Sequence, residues 1–308
     1  MQHIIPFNAY LTSPDLAAFL LENRYVRVHA TAPELTSVRI TLEGTHTVKP
    51  HHVVSLACLL EEYYAAGIPI AFTPCATPAY GYLQNIGFLD MWGTERPTAH
   101  TGFTPMDDPT AFAVWKASPE LMTDYVLSAY DHFKYRFFED KDISFLPTYL
   151  TELFNNVFDH AFAEGATERS AFGMLQYYPT TKRLFASVSD FGMGISTSVN
   201  RFLRSRQESE LLPMEALRKA TELHFSSHSR PHNKGRGLDT LRVGLTALRG
   251  TLTIQTSHAL YHLSRDGKES LHSLPGIDFP GTTVTIKLSY GDLEQDSMDE
   301  IQEEAALF

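Results

Sequence analysis

Three short segments carry residue types whose spacing could support chemistry. In ELFNNVFDHA, Glu152 and Asn156 stand four apart, so on a helix they stack on one face, with Leu153, Phe154 and Val157 toward the core. An Asn in an apolar helix competes with the backbone and needs a partner when buried. A satisfied core Asn beside an exposed Glu has this spacing. So does a pair in which the Asn oxygen ligates Mg²⁺ and the Glu accepts a proton. In ASVSDFGMGI a strand ends at Asp190, and Gly192 and Gly194 follow at alternate positions. A carboxylate there can accept the exocyclic amine of a purine while the glycines let backbone approach a flat ring. Asp and Gly are also ordinary turn residues. In NKGRGLDTLR, Lys234, Gly235, Arg236 and Gly237 lead into a helix beginning near Leu238. Amides at such a helix start cradle phosphate and the flanking cations reinforce them. A flexible glycine-rich loop would read the same way.

The elements that must position these residues fall into two groups. Before residue 93, period-2 alternation predicts strands at 25–30 (YVRVHA) and 37–42 (SVRITL). An amphipathic helix over 53–66 ends at Gly67, an apolar strand covers 68–73, and a helix started by Pro78 runs toward Ile86. Short βαβ connections imply a small parallel α/β layer. Pro, Thr and Gly concentrate in 93–110. After it come long helices at 118–135 and 146–162, strands at 170–178 and 182–189, a helix at 238–248, and strands at 250–256 and 282–288. Helices followed by antiparallel strands imply an α+β sandwich, a mixed, mainly antiparallel sheet with helices on one face. The predicted division is a small α/β domain at 1–104, a linker at 105–117, the sandwich at 118–290 and an acidic tail at 291–308.

The chain has 308 residues, 43% of them hydrophobic and 20% charged, enough for ordinary cores. No apolar run approaches the ~18 residues that cross a bilayer, and the N-terminus lacks a basic segment followed by an apolar one. Two cysteines, Cys58 and Cys75, make neither a disulfide framework nor a zinc ribbon, which fits a reducing cytoplasm. The net charge of −11 disfavours nucleic acid as a partner. The tail from 291 holds seven acids and no base and reads as a solvated end, whereas 201–236 has eight bases against four acids. His51–His52 and His258/His262 lack accompanying Cys or acidic ligands, so no metal other than Mg²⁺ is expected. No GxxxxGK[ST] occurs and no GxGxxG follows a strand, which excludes P-loop and dinucleotide folds.

Together and in this order, the three segments resemble the GHKL nucleotide-binding fold of histidine-kinase catalytic domains, type II topoisomerases, mismatch-repair ATPases, heat-shock chaperones and anti-sigma-factor kinases. The resemblance covers roughly 115–290. Its N box matches Glu152-x-x-x-Asn156, its first glycine box Asp190-Phe191-Gly192-Met193-Gly194 and its second Gly235-Arg236-Gly237-Leu238. GTTVTIKL from Gly281 matches the closing strand, whose threonine, here Thr282, helps hold the water network between aspartate and adenine. The resemblance implies ATP and Mg²⁺ as ligands, Glu152 as general base, Asn156 as metal ligand, and 197–233 as a long polar lid. Lys234 or Arg236 would then reach the γ-phosphate.

Residues 37–92 look like a STAS domain, the fold of anti-sigma-factor antagonists, although 49–52 reads Lys-Pro-His-His where phosphorylated members carry serines, and Ser55 lies in the following helix. His132 is followed by Phe133 rather than by the acid that usually follows a phosphoacceptor His, and no transducer domain is expected after the ATPase segment. The expectation is therefore a cytoplasmic GHKL-type ATPase or serine/threonine kinase in a partner-switching system, with a STAS- or sigma/anti-sigma-type protein, or a second copy, as partner. A non-catalytic ATP-dependent switch or scaffold is the alternative.

Overall fold

A computed structural model describes residues 1–8, 12–44, 47–93, 108–163, 165–166, 169–222 and 237–296. The N-terminal part runs β1 (Gln2–Asn8), α1 (Ser13–Asn23), α2 (Tyr25–Thr31), β2 (Ser37–Glu43), α3 (Pro50–Ala65), β3 (Ile70–Phe72) and α4 (Pro78–Asn85). The strands form a parallel sheet in the order β1-β2-β3. The stretch 25–30, predicted as a strand, is helix α2. Six alternating residues are a weak period, and the edge of β2 that such a strand would need is taken by β1 along its whole length, from Gln2 opposite Ser37 to Asn8 opposite Glu43.

The remainder comprises β4 (Ala111–Lys116), α5 (Met122–Phe137), α6 (Leu146–Asn156), a π-helical turn (Val157–Ala161), β5 (Ala171–Tyr178), β6 (Arg183–Asp190), α7 (Gly194–Ser205), α8 (Pro213–Ala220), α9 (Gly237–Ala247), β7 (Thr251–Ser257), β8 (Ala259–Leu263), β9 (Glu269–Ser273) and β10 (Phe279–Ser289). Seven antiparallel strands lie in the order β4-β5-β6-β10-β7-β8-β9. The chain is thus mixed α/β, with a large antiparallel and a small parallel sheet. The strand β4 occupies part of the segment expected to be linker, and the β8–β9 hairpin was not foreseen. The expected lid, up to Thr221, is largely the pair α7 and α8 around a small core of Val199, Leu203 and Ala216; residues 223–236 lie outside the described ones.

Alternation in the large sheet sorts two faces. Leu184, Ala186 and Val188 of β6, with Val284, Ile286 and Leu288 of β10, pack beneath α5, α6 and α9. The opposite face is also covered. Phe172, Met174 and Phe279 share a core with Ile5, Val38 and Ile40 of the small sheet and with much of α3, which lies between the two sheets. The helix α3 starts with Pro50 in its first turn and with His52 accepting the Lys49 N–H at 3.1 Å, and nearly its whole circumference is buried. Polar bonds cross the junction. Lys116 pairs with Glu61 at 2.6 Å, Tyr82 donates to Gln176 at 2.9 Å, and Gln255 donates to the Ser13 carbonyl at 3.1 Å.

The first residues of the acidic tail are tied to the fold rather than forming a free end. Lys141 Nζ donates to the Leu293 carbonyl at 3.1 Å, and the Asp142 N–H to Glu294 at 3.0 Å. Lys134, which caps the carbonyls of Phe138, Glu139 and Lys141, also pairs with Asp296 at 2.5 Å. Cations on α5 and after it therefore bind this stretch; residues 297–308 lie outside the described ones.

Candidate functional site

Helix α6 brings Glu152 and Asn156 to one face, with Leu153 and Phe154 buried on the other. Asn156 Nδ2 donates to the Glu152 carbonyl at 2.7 Å, one turn back, which uses one of the amide's two donors and leaves Oδ1 as the acceptor it can offer. Across from them stands the start of α9. A methyl group on Gly237 would lie 2.9 Å from Asn156 Oδ1 and 3.3 Å from Glu152 Oε2. The two helices approach this closely because Gly244 has no side chain where Tyr149 passes; its Cβ would sit 1.8 Å from the Tyr149 hydroxyl. The positive end of α9 thus faces a carboxylate and an amide oxygen. Leu238, next in the chain, is buried in the core beneath. Burial, with Asp159 nearby, raises the Glu152 carboxyl above its ordinary range, a direction that suits a general base.

Asp190 closes β6, paired with Ala171 of β5 and Thr282 of β10, and is 3% exposed. Its Oδ1 accepts the Gly192 N–H at 2.7 Å, so the chain turns tightly around Phe191. Burial pushes this carboxyl up to about 7, opposed by hydrogen bonds from the backbone of Gly192 and Thr282. Gly192 is required by a close approach, since a Cβ there would meet the Ala161 carbonyl oxygen at 2.1 Å. Gly194, with φ +74°, opens α7 in the left-handed region.

Two contributors escaped the sequence reading. Thr256 on β7 accepts the Ile195 N–H at 2.9 Å, donates to the Gly281 carbonyl at 2.9 Å, and lies 3.2 Å from the Thr282 hydroxyl. It ties the glycine segment to the strand beside Asp190. Nothing in TLTIQTS distinguishes this threonine from its neighbours. Ala161, the last residue of the π-helical turn, accepts the Met193 N–H at 2.7 Å through its carbonyl. A regular helix was expected through 162. The π turn instead ends α6 so that this carbonyl meets the glycine segment, the kind of local irregularity that accompanies functional sites.

The first and second segments are therefore joined through Ala161 to Gly192 and Met193, and the first and third through Asn156 to Gly237. Lys234, Gly235 and Arg236 lie outside the described residues. No family model matches this chain, and no curated protein does. Function rests on the geometry of the site.

Other sequence candidates resolve simply. Cys58 and Ser55 are enclosed between α3 and the large sheet. His132 Nε2 donates to the Pro109 carbonyl at 2.8 Å, and the ring packs on Phe112 and Phe133. Among the described residues no three His, Cys, Asp or Glu side chains converge as a metal centre, and no helix is long and apolar enough to cross a membrane.

Proposed function

We propose that the chain binds Mg·ATP in the manner of GHKL proteins and hydrolyses it or transfers its γ-phosphate to a protein hydroxyl. One observation carries the reading: Glu152 and Asn156 face the start of α9, and the same helix, through Ala161, holds the glycines beside a buried strand-end carboxylate. Asp190 accepts the adenine amine, Gly192 and Gly194 give the ring a flat approach, and Thr282 helps order water at the base. The free oxygen of Asn156 is a hard ligand that suits Mg²⁺, which asks for one or two protein oxygens besides phosphate and water. That ion would supply neutralisation of phosphate charge. Glu152 orients the attacking hydroxyl or water, where positioning supplies most of the rate. The start of α9, with Gly235, Lys234 and Arg236 before it, receives phosphate oxygens.

The three-stranded parallel sheet with α3 after β2 supports a STAS-like reading of the N-terminal part, and with it a cytoplasmic partner-switching role with a STAS- or sigma/anti-sigma-type protein or a second copy. A second reading, in which ATP occupancy rather than turnover is the output, is favoured by the packing of α3 directly behind the Asp190 strand.

A thermal or chemical denaturation series with Mg·ATP tests the binding step. At ~100 times its dissociation constant the nucleotide adds about 2.7 kcal/mol to wild type and nothing to Asp190→Ala. No response from wild type overturns the proposal. Glu152→Gln separates the readings: it retains binding and abolishes phosphate release or partner labelling in the enzyme, but leaves partner affinity responsive to ATP in the switch.

A further inference from the structure

The residues on either side of Asp190 are both held by the N-terminal part of the chain. Before it, the Ser189 carbonyl accepts the thiol of Cys58 from α3 at 3.2 Å, and the Ser189 hydroxyl bonds Thr283 at 2.7 Å, itself 3.3 Å from Ser55 of α3. After it stands Phe191, the apex of the turn that the Asp190 side chain closes onto Gly192. The guanidinium of Arg24, at the junction of α1 and α2, lies over the Phe191 ring with its carbon 4.9 Å from the centroid. Arg24 is itself fixed. Its Nε donates to Glu62 Oε1 at 2.6 Å, a second guanidinium nitrogen reaches the same oxygen, and Glu62 Oε2 accepts the Tyr25 N–H at 3.1 Å. One oxygen of Glu62 thus aims the planar cation at the ring, while the other anchors the carboxylate to the backbone at Tyr25.

We infer that Arg24, oriented by Glu62, is a positioning residue for the base-recognition carboxylate: by stacking on Phe191 it sets the turn that presents Asp190, so that the N-terminal part helps decide which purine is bound. This rests on the nucleotide reading given above. The chemistry is specific. A ring packed by aliphatic neighbours alone can rock, whereas a planar guanidinium fixed by Glu62 constrains the ring's position and tilt. A small displacement of the turn matters most to a directional hydrogen bond from an exocyclic amine, and least to phosphate contacts made elsewhere.

The test compares ATP and GTP binding by calorimetry in the full-length chain. Wild type prefers ATP. Arg24→Ala weakens ATP by about two- to fivefold, as loss of one cation–ring contact requires, and changes GTP less, so the preference shrinks. Arg24→Lys, which keeps the charge near Glu62 without the planar face, recovers only part of it. Phe191→Leu produces the same loss; adding it to Arg24→Ala costs nothing more, and adding it to Arg24→Lys costs only the part that the lysine recovered, because the substitutions remove one contact. Unchanged ATP affinity, an equal loss for both nucleotides, or additive effects of the two positions overturns the inference. A wild-type chain that binds neither nucleotide is a different result, which overturns the nucleotide reading itself and the role of Arg24 with it. Should Arg24→Ala fail to fold, the Arg24→Lys and Phe191→Leu pair decides the matter alone.

Discussion

Asp190 carries two obligations that pull apart. In the base-acceptor role proposed for it, it must sit at a strand end against an apolar ring. Burial there raises its carboxyl from the ordinary carboxylate range to about 7. A raised folded-state value means that the folded chain holds the proton more tightly than the unfolded one. Stability is therefore greatest below about pH 4, where both states are protonated, and falls as pH rises through 7. Denaturant titrations across this range are expected to lose up to roughly 4 kcal/mol from this group in wild type. In Asp190→Asn, whose Oδ1 can still accept the Gly192 N–H, most of that slope disappears, so the variant gains on wild type near pH 8 and not near pH 4. A variant that follows the wild-type slope would place the pH dependence on other groups. Glu152 is raised in the same direction, so its share of the slope has the same sign.

At the scale of elements, the junction between the end of α6 and the start of α7 is made of backbone against backbone. The Ala161 carbonyl accepts the Met193 N–H at 2.7 Å and stands where a side chain at 192 would be. Neither partner can turn aside as a flexible side chain can. Gly192→Ala is expected to cost about 1–3 kcal/mol of stability and to displace the turn that closes on Asp190, with a loss of nucleotide affinity. Gly81→Ala is the contrast: it lies within α4 with nothing inside 4 Å of the added methyl, and should gain up to about 1 kcal/mol from helix propensity. Equilibrium denaturation of the two variants side by side checks both. Equal effects would show that the close approach at Gly192 relaxes freely.

For the whole molecule, the unexpected feature is the cover on the second face of the large sheet. Ser187 and Thr285, and Ser189 and Thr283, face each other across β6 and β10 at 2.9 and 2.7 Å, and all but Thr285 are buried. Small hydroxyl residues of this kind serve equally on a solvated face, because each can be satisfied by its cross-strand partner or by water. Phe172, Met174 and Phe279 lie on that face and need α3. Removing residues 1–107 is therefore expected to yield an aggregating fragment, or one that binds apolar dyes and exchanges its β5 and β6 amides rapidly. A soluble fragment with protected amides would show instead that the large sheet is self-sufficient.

Residue types and spacing alone determined the local features: the shared face of Glu152 and Asn156, the strand ending at Asp190, the helix starting near Leu238, the helix that stops before Gly67, and the proline start of α4. These depend on the 3.6 and 2.0 periods and on residue chemistry within one or two turns of chain. Only the tertiary structure decided that 25–30 is a helix, that 111–116 joins the sheet, that Thr256 and Ala161 bind the glycine segment, and that Arg24 stands over Phe191. Each of these turns on which distant segment fills a sheet edge or a face. That is a competition among partners far apart in the chain, to which a local pattern of residues is blind.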